Sequence, residues 1–206
     1  KQFIEYFGGI NMNKDKMIED YVNSQVSCIN ELKQYSDDIQ KILQELISAR
    51  DNDHDIYIVG NGGSASTATH FCSDLLKTSI IENKKRFKAH SLSDNIPVVL
   101  AWSNDTDYKN IFVEQLENFL KNDDVVIGIS GSGNSENVLK AIEFANNKNA
   151  ITISLTGKGG GEMSKLSQIN LSVPSDDMLT IETMHLMICH LLTTMIRADG
   201  KPKFSY

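Results

Sequence analysis

The chain has 206 residues, 40% of them hydrophobic, and a formal net charge of −7 at pH 7. That length and apolar content suffice for one sizeable core and a single structural domain. The acidic balance speaks against a general binder of nucleic acid or of an anionic membrane surface, and neither a signal-peptide pattern nor an apolar run approaching a membrane span is read in the sequence.

In chain order, residues 1–13 are set apart as an extension with no assigned function. Residues 14–55 are expected to be helical. Apolar positions recur there at helical spacing (Met17, Ile18, Tyr21, Val22, Val26, Ile29, Leu32, then Ile39, Ile42, Leu43, Leu46, Ile47), with Ser36 as a cap between two helices. The first stripe suits a partner subunit as well as its own domain. Residues 56–206 then alternate, with strands expected at Ile56–Val59, Ala89–Leu92, Val125–Ile129, Ile151–Leu155 and Ile169–Val173. Helical patterns lie between most of them, notably Ser66–Lys77, Asp107–Leu120 and Ser135–Asn146. Such alternation implies a parallel sheet with helices on both faces and ligands at the carboxyl ends of the strands. A last helix, Met178–Arg197, carries Glu182, His185 and His190, and Gly200, Lys201 and Pro202 end the pattern. Cys28, Cys72 and Cys189 are scattered without CxxC spacing, which points to reduced thiols and a cytoplasmic location. The basic run Lys84, Lys85, Arg86 and Lys88 reads as a solvated loop.

Two stretches carry the functional signal. IYIVGNGGSASTATHFCSD, from Ile56 to Asp74, is a strand that breaks into small residues just before a helix. This places backbone N–H groups and hydroxyls where the helix dipole favours an anion. His70 and Asp74 are four residues apart and share one face of that helix. DDVVIGISGSGNSENVLKAIEFA, from Asp123 to Ala145, repeats the grammar through Ser130, Gly131, Ser132, Gly133, Asn134 and Ser135. Two hydroxyl-rich turns suggest one anionic ligand gripped from two sides. Neither matches GxxxxGK[ST], nor GxGxxG with a following acidic residue, which argues against a nucleoside triphosphate and a dinucleotide. His190, among Leu186, Ile188, Leu191 and Met195, reads as a site residue or as a hydrogen-bonded core histidine. His185 reads as structural or at a subunit contact, and His54 and His90 as incidental.

GNGGSxxxxxH with an acidic residue four further on, SxSGNSxNV, LTGKxGG, and VPSDD before a helix bearing two histidines five apart together resemble the phosphoheptose isomerase family, whose domain is the sugar isomerase (SIS) fold. The register holds from about Met17 to Arg197. The resemblance implies a five-stranded, flavodoxin-like parallel sheet sandwiched by helices, a homotetramer, and interconversion of sedoheptulose 7-phosphate with D-glycero-D-manno-heptose 7-phosphate. That reaction leads toward bacterial surface heptose, in lipopolysaccharide or capsule. The acidic balance leaves no nucleic-acid or membrane partner expected. Carried over by motif, the substrate contacts fall on Asn61, Gly62, Gly63 and Ser64, on Ser130, Gly131, Ser132 and Ser135, on Asn104 and Asp105, and on Asp74 and Glu182. The catalytic pair falls on Asp74 and His190. A zinc ion, where family members hold one, has ligands matching His70, Asp74, Glu182 and His190. This chain departs from the family in having Asp74 for the usual glutamate, Glu182 for glutamine, Gly131 for a hydroxyl residue and Thr180 where arginine is common. The alternative is a non-catalytic SIS protein, either a sugar-phosphate regulator or a partner of a replication-initiator-type protein. Retention of His190 favours the enzyme.

The chemistry calls for these residue types. Moving a carbonyl between C1 and C2 takes a proton from one carbon and returns it to its neighbour through an enediol, so one base must reach both carbons and an acid must serve the oxygens. A carboxylate suits the first task and an imidazole the second. Zinc would add Lewis-acid polarisation of the carbonyl.

Overall fold

A computed structural model describes residues 13–205. The extension assigned to residues 1–13 therefore lies, but for Asn13, outside the described residues. Two helices open the chain, α1 (Lys14–Leu32) and α2 (Ser36–Asn52), joined by a single 3-10 turn. Ser36 is not a cap. It is the first residue of α2 after Tyr35, and its side chain makes no capping bond, because Leu32 to Ser36 stay right-handed helical nearly throughout and the chain scarcely breaks there.

Five strands follow: β1 (Asp55–Gly60), β2 (Lys88–Ser91), β3 (Val125–Ser130), β4 (Ile151–Thr156) and β5 (Ile169–Ser172). They form one sheet in the order β2-β1-β3-β4-β5, with every pair parallel. This is the flavodoxin-like order expected of the family. The chain leaves β1 toward β2 on one side and returns to β3 on the other, so the switch point lies between β1 and β3. The two small-residue turns are the C-terminal ends of those two strands. The period-2 alternation of β1 divides the core: Ile56 and Ile58 face the layer of α2, α3 (Gly63–Ser73) and α8 (Met178–Arg197), whereas Tyr57 and Val59 face the layer of α5 (Val113–Phe119) and α6 (Glu136–Asn147).

Two further helices, α4 (Ile96–Asp105) and α7 (Met163–Leu166), were not expected from sequence. The pattern over 107–120 resolves into a 3-10 turn, Tyr108–Asn110, followed by α5. The 20-residue α8 corrects the expectation that no segment reaches the length of a membrane span, since by length and composition it does. Half of its apolar window is buried inside the domain, as suits a core helix, with Ile181, Met184, Ile188, Leu192 and Ile196 on the sheet-facing side. The N-terminal α1 is tied to it by a 2.7 Å bond from Gln25 Nε2 to Thr180 Oγ1.

Candidate functional site

The local sequence leaves two helix N-termini open at the switch point. Gly62, at φ 53°, precedes α3 and offers no side chain to cap it. Ser135 precedes α6 but turns its hydroxyl back toward Ser130, 3.0 Å away, and makes no cap bond. In contrast, α1, α4 and α8 are capped by Asn13, Asn95 and Asp177. Uncapped first-turn N–H groups are free to meet an anion. Around the second turn, Ser130 Oγ lies 3.4 Å from Ser132 Oγ, so Ser130, Ser132 and Ser135 form one hydroxyl cluster.

That turn is held from behind by the LTGKxGG segment. Gly157 N–H donates to Gly131 O at 2.9 Å, Met163 N–H to Gly133 O at 3.0 Å, and Glu162 N–H to Asn134 Oδ1 at 3.0 Å. Gly133 has φ 65°, and a Cβ there would stand 2.6 Å from the carbonyl carbon of Gly160, so no larger residue fits. Gly131 has a different cause. A Cβ there would run into the end of the Met178 side chain of α8, while Ile181 lies at an ordinary contact distance of 3.5 Å.

The structure brings three of the expected residues together. His70 and Asp74 lie at the end of α3, and His190 reaches them from α8. The Nε2 atoms of His70 and His190 are 3.1 Å apart, and Asp74 Oδ2 is 3.8 Å from each. Asp74 opens a π-helical turn (Asp74–Thr78) and is the most buried of the three, with both imidazoles about half exposed. His190 is thus not an interior core histidine. Ligands about 2.0–2.1 Å from a tetrahedral ion sit roughly 3.3 Å apart, close to the separations found here, and two imidazoles with a carboxylate are a competent donor set for a divalent metal. These three residues can hold such an ion with a coordination position to spare.

Glu182 stands elsewhere. Its carboxyl carbon would lie 2.5 Å from a Cβ on Gly63, so the carboxylate sits against the start of α3 and does not join the group of His70, Asp74 and His190. It has no hydrogen-bond or ion-pair partner among the described residues. Asn61, Gly62, Gly63 and Ser64 are at the same helix start, Ser64 buried. Asn104 and Asp105 are exposed at the end of α4, where Asn104 Nδ2 donates to Asp105 Oδ1 at 2.8 Å. Two residues missed in the sequence join Asn61: Tyr108, whose hydroxyl donates to Asn61 Oδ1 at 2.7 Å, and the buried Asn137 of α6. Asn137 stands within the SxSGNSxNV motif, whereas only proximity in space reveals Tyr108.

The remaining histidines fall outside the site. His90 pairs with Asp55 at 2.7 Å and stacks on Tyr57, and His54 is 3.9 Å from Asp124. His185 is fully buried, and its Nε2 lies 3.1 Å from Thr156 O. A carbonyl only accepts, so Nε2 carries the proton and the buried Nδ1 is left without a partner. Burial pulls the His185 pKa down to about 4. Between that value and the unfolded value near 6.5 the unfolded chain binds the extra proton, so stability falls as pH drops through this window and is fully present above it. The expected loss is about 3 kcal/mol by pH 4. Urea midpoints at pH 7 and pH 4.5 test it, because a His185→Gln variant should show a shallower pH dependence than the parent.

A SIS domain family model matches residues 20–157. The chain is 40% identical to a phosphoheptose isomerase of Helicobacter pylori (strain P12), over 87% of this chain and 96% of that one. It is 36% identical to a phosphoheptose isomerase of Clostridium acetobutylicum, over 81% and 84% of the two chains. Among solved structures, a phosphoheptose isomerase from Francisella tularensis superposes with a TM-score of 0.83 at 29% identity, covering 91% of this chain and all of that one. With a switch-point site on a five-stranded parallel sheet and likeness over nearly its whole length, the chain belongs to the phosphoheptose isomerase family of SIS-domain proteins.

Proposed function

We propose that this protein is an aldose–ketose isomerase that converts sedoheptulose 7-phosphate to D-glycero-D-manno-heptose 7-phosphate, supplying heptose for a bacterial surface polysaccharide. The observation that carries this is the convergence of Asp74, His70 and His190 at the far end of the helix whose N-terminus forms the first turn. From Gly63 to His70 the helix advances about 10 Å, a span that an open-chain sugar phosphate bridges with its phosphate at the turns and its carbonyl at the histidines.

In this reading Ser130, Ser132, Ser135 and the N–H groups of Glu136 and Asn137 at the start of α6 bind the phosphate. Asn61, Gly62, Gly63 and Ser64, with Gly131, Asn104, Asp105 and Glu182, line the sugar. Asp74 takes the proton from one carbon and returns it to the next, and His190 exchanges the oxygen proton. The Asp74 carboxylate is partly buried, 3.8 Å from each imidazole. His70, Asp74 and His190 would hold zinc in a metal-bound state of the site, with Glu182 as a fourth ligand if its side chain turns from Gly63; a lone pair given to the ion is not available for proton transfer, so the acid–base roles of Asp74 and His190 belong to the metal-free site. An ion held there would supply Lewis-acid polarisation of the sugar carbonyl.

The protein is read as a cytoplasmic homotetramer. Three buried free thiols support a reducing compartment. The subunit contact is supported by Met17, Ile18, Tyr21, Val22 and Val26, all about half exposed on α1, and by an apolar groove of about 400 Å³ between α1, α2 and α8.

The test is to incubate purified protein, with and without added zinc, with sedoheptulose 7-phosphate and to follow aldose formation. Turnover is expected; binding without turnover in both conditions would instead mark a sugar-phosphate sensor. Ser132→Ala should raise KM about tenfold and leave kcat within about twofold, because it removes one hydroxyl from the phosphate cluster and nothing from the reacting carbons.

A further inference from the structure

We infer that Tyr108 is a positioning residue for this isomerisation, fixing through Asn61 the amide that meets the sugar oxygens. The inference rests on the sugar-phosphate reading of the two turns and adds a residue that reading does not contain.

Val138 N–H, in the first turn of α6, donates to Asn137 Oδ1 at 3.0 Å. A backbone N–H only donates, so the orientation of the Asn137 amide is set by the main chain. Asn137 and Asn61 then pair head to tail: Asn61 Nδ2 donates to Asn137 Oδ1 at 2.9 Å, and Asn137 Nδ2 donates to Asn61 Oδ1 at 2.8 Å. With the Asn137 amide oriented, which end of the Asn61 amide is oxygen and which is nitrogen is set as well, while its tilt about the pair is not. Its Oδ1 can only accept, so the Tyr108 hydroxyl at 2.7 Å must be the donor. Asn61 Oδ1 thereby accepts two bonds, and one hydrogen of Asn61 Nδ2 is left with no partner among the described residues.

That remaining hydrogen belongs to a half-buried side chain in the first turn, beside the uncapped start of α3. An amide donor held by three bonds is suited to an oxygen that gains charge on the way to the enediol, since its orientation is set before the reaction begins. Asn137 is buried and lies within the scaffold. Tyr108 is half exposed, on the segment that also carries Asn104 and Asp105, and so it bonds to Asn61 from the solvent side. Loss of its hydroxyl frees the Asn61 amide to tilt about the asparagine pair while the ring and the fold remain.

Two measurements decide the matter. Tyr108→Phe should lower kcat on sedoheptulose 7-phosphate about tenfold with KM within about twofold, and should have no further effect when introduced into an Asn61→Ala background. A purely structural residue would not lose its effect in that background, so additive losses in the double variant, or an unchanged kcat in Tyr108→Phe, overturn the inference. The second measurement is the side-chain amide resonance of Asn61 in an isotope-labelled sample titrated with sedoheptulose 7-phosphate. One of its two protons should shift in the parent protein and shift at least twofold less in Tyr108→Phe. If the parent turns over but neither proton moves, the positioning role falls and the isomerase reading stands. If the proton moves but no aldose forms, the isomerase reading falls and the positioning of a bound sugar phosphate stands. Neither movement nor turnover overturns both.

Discussion

Asp74→Asn is expected to reduce turnover of sedoheptulose 7-phosphate by about 10³-fold while binding of the sugar phosphate stays within about threefold. Asparagine keeps the size of the side chain and one carbonyl oxygen, so the packing around it is preserved. What is lost is the only carboxylate in the group with His70 and His190, and with it the base that can serve two adjacent carbons. The family resemblance sets a longer glutamate against this position, and reach matters to proton transfer at the ångström level. In this chain the side chain projects from a place where α3 passes into a π turn, and its Oδ2 still comes to 3.8 Å from both imidazoles. π turns recur at functional positions because they redirect a helix side chain without ending the helix. The check is steady-state kinetics in parallel with calorimetric titration of sugar phosphate. A variant with a normal rate would remove Asp74 from the role of base.

His190→Ala should lose turnover by about 10²-fold or more and weaken zinc binding by a similar factor, with thermal stability little changed. Its side chain is half exposed, and its recorded side-chain contacts are with His70 and Asp74. Removal therefore leaves no cavity in the core and no orphaned buried partner, in contrast to the neighbouring His185, which sits five residues earlier on the buried side of α8. The measurements are zinc content after dialysis against a competing chelator, and kcat with and without added metal. Normal zinc affinity with lost turnover would assign His190 to acid–base chemistry alone. Normal values of both would remove it from the site.

Much of the fold was legible because its three central strands, β1, β3 and β4, are rich in β-branched residues and bounded by turn residues, and all five strands stand within one residue of the positions read from sequence. What could not be read follows from physics that is not periodic. α4 begins at Ile96 with a proline in its first turn and a nearly continuous apolar stretch, Pro97 to Trp102, which shows neither a helical stripe nor strand alternation; Ile96 and Leu100 are in fact exposed. Ser36 looked like a cap because serine usually is one, but capping requires the chain to leave helical geometry first, and here it does not. In the candidate site, the turns and the i, i+4 pair His70–Asp74 are local and were visible. The family resemblance places Glu182 with His190, yet the start of α3 comes so close to α8 that the carboxylate meets Gly63 first. The Tyr108–Asn61–Asn137 chain joins residues 47 and 76 positions apart, a relation no spacing rule contains.

The bonds behind the second turn, from Gly131, Gly133 and Asn134 to the segment 157–163, have a consequence for affinity. A mobile loop that closes on phosphate loses conformational entropy at the moment of binding, and that loss is subtracted from the contact energy. Here the backbone is already immobilised against neighbouring backbone, with two paired asparagines joining the first turn to α6 behind the second. The ordering is completed during folding, so the ligand meets a rigid receptor and the free energy of its hydrogen bonds is available to discriminate between sugars.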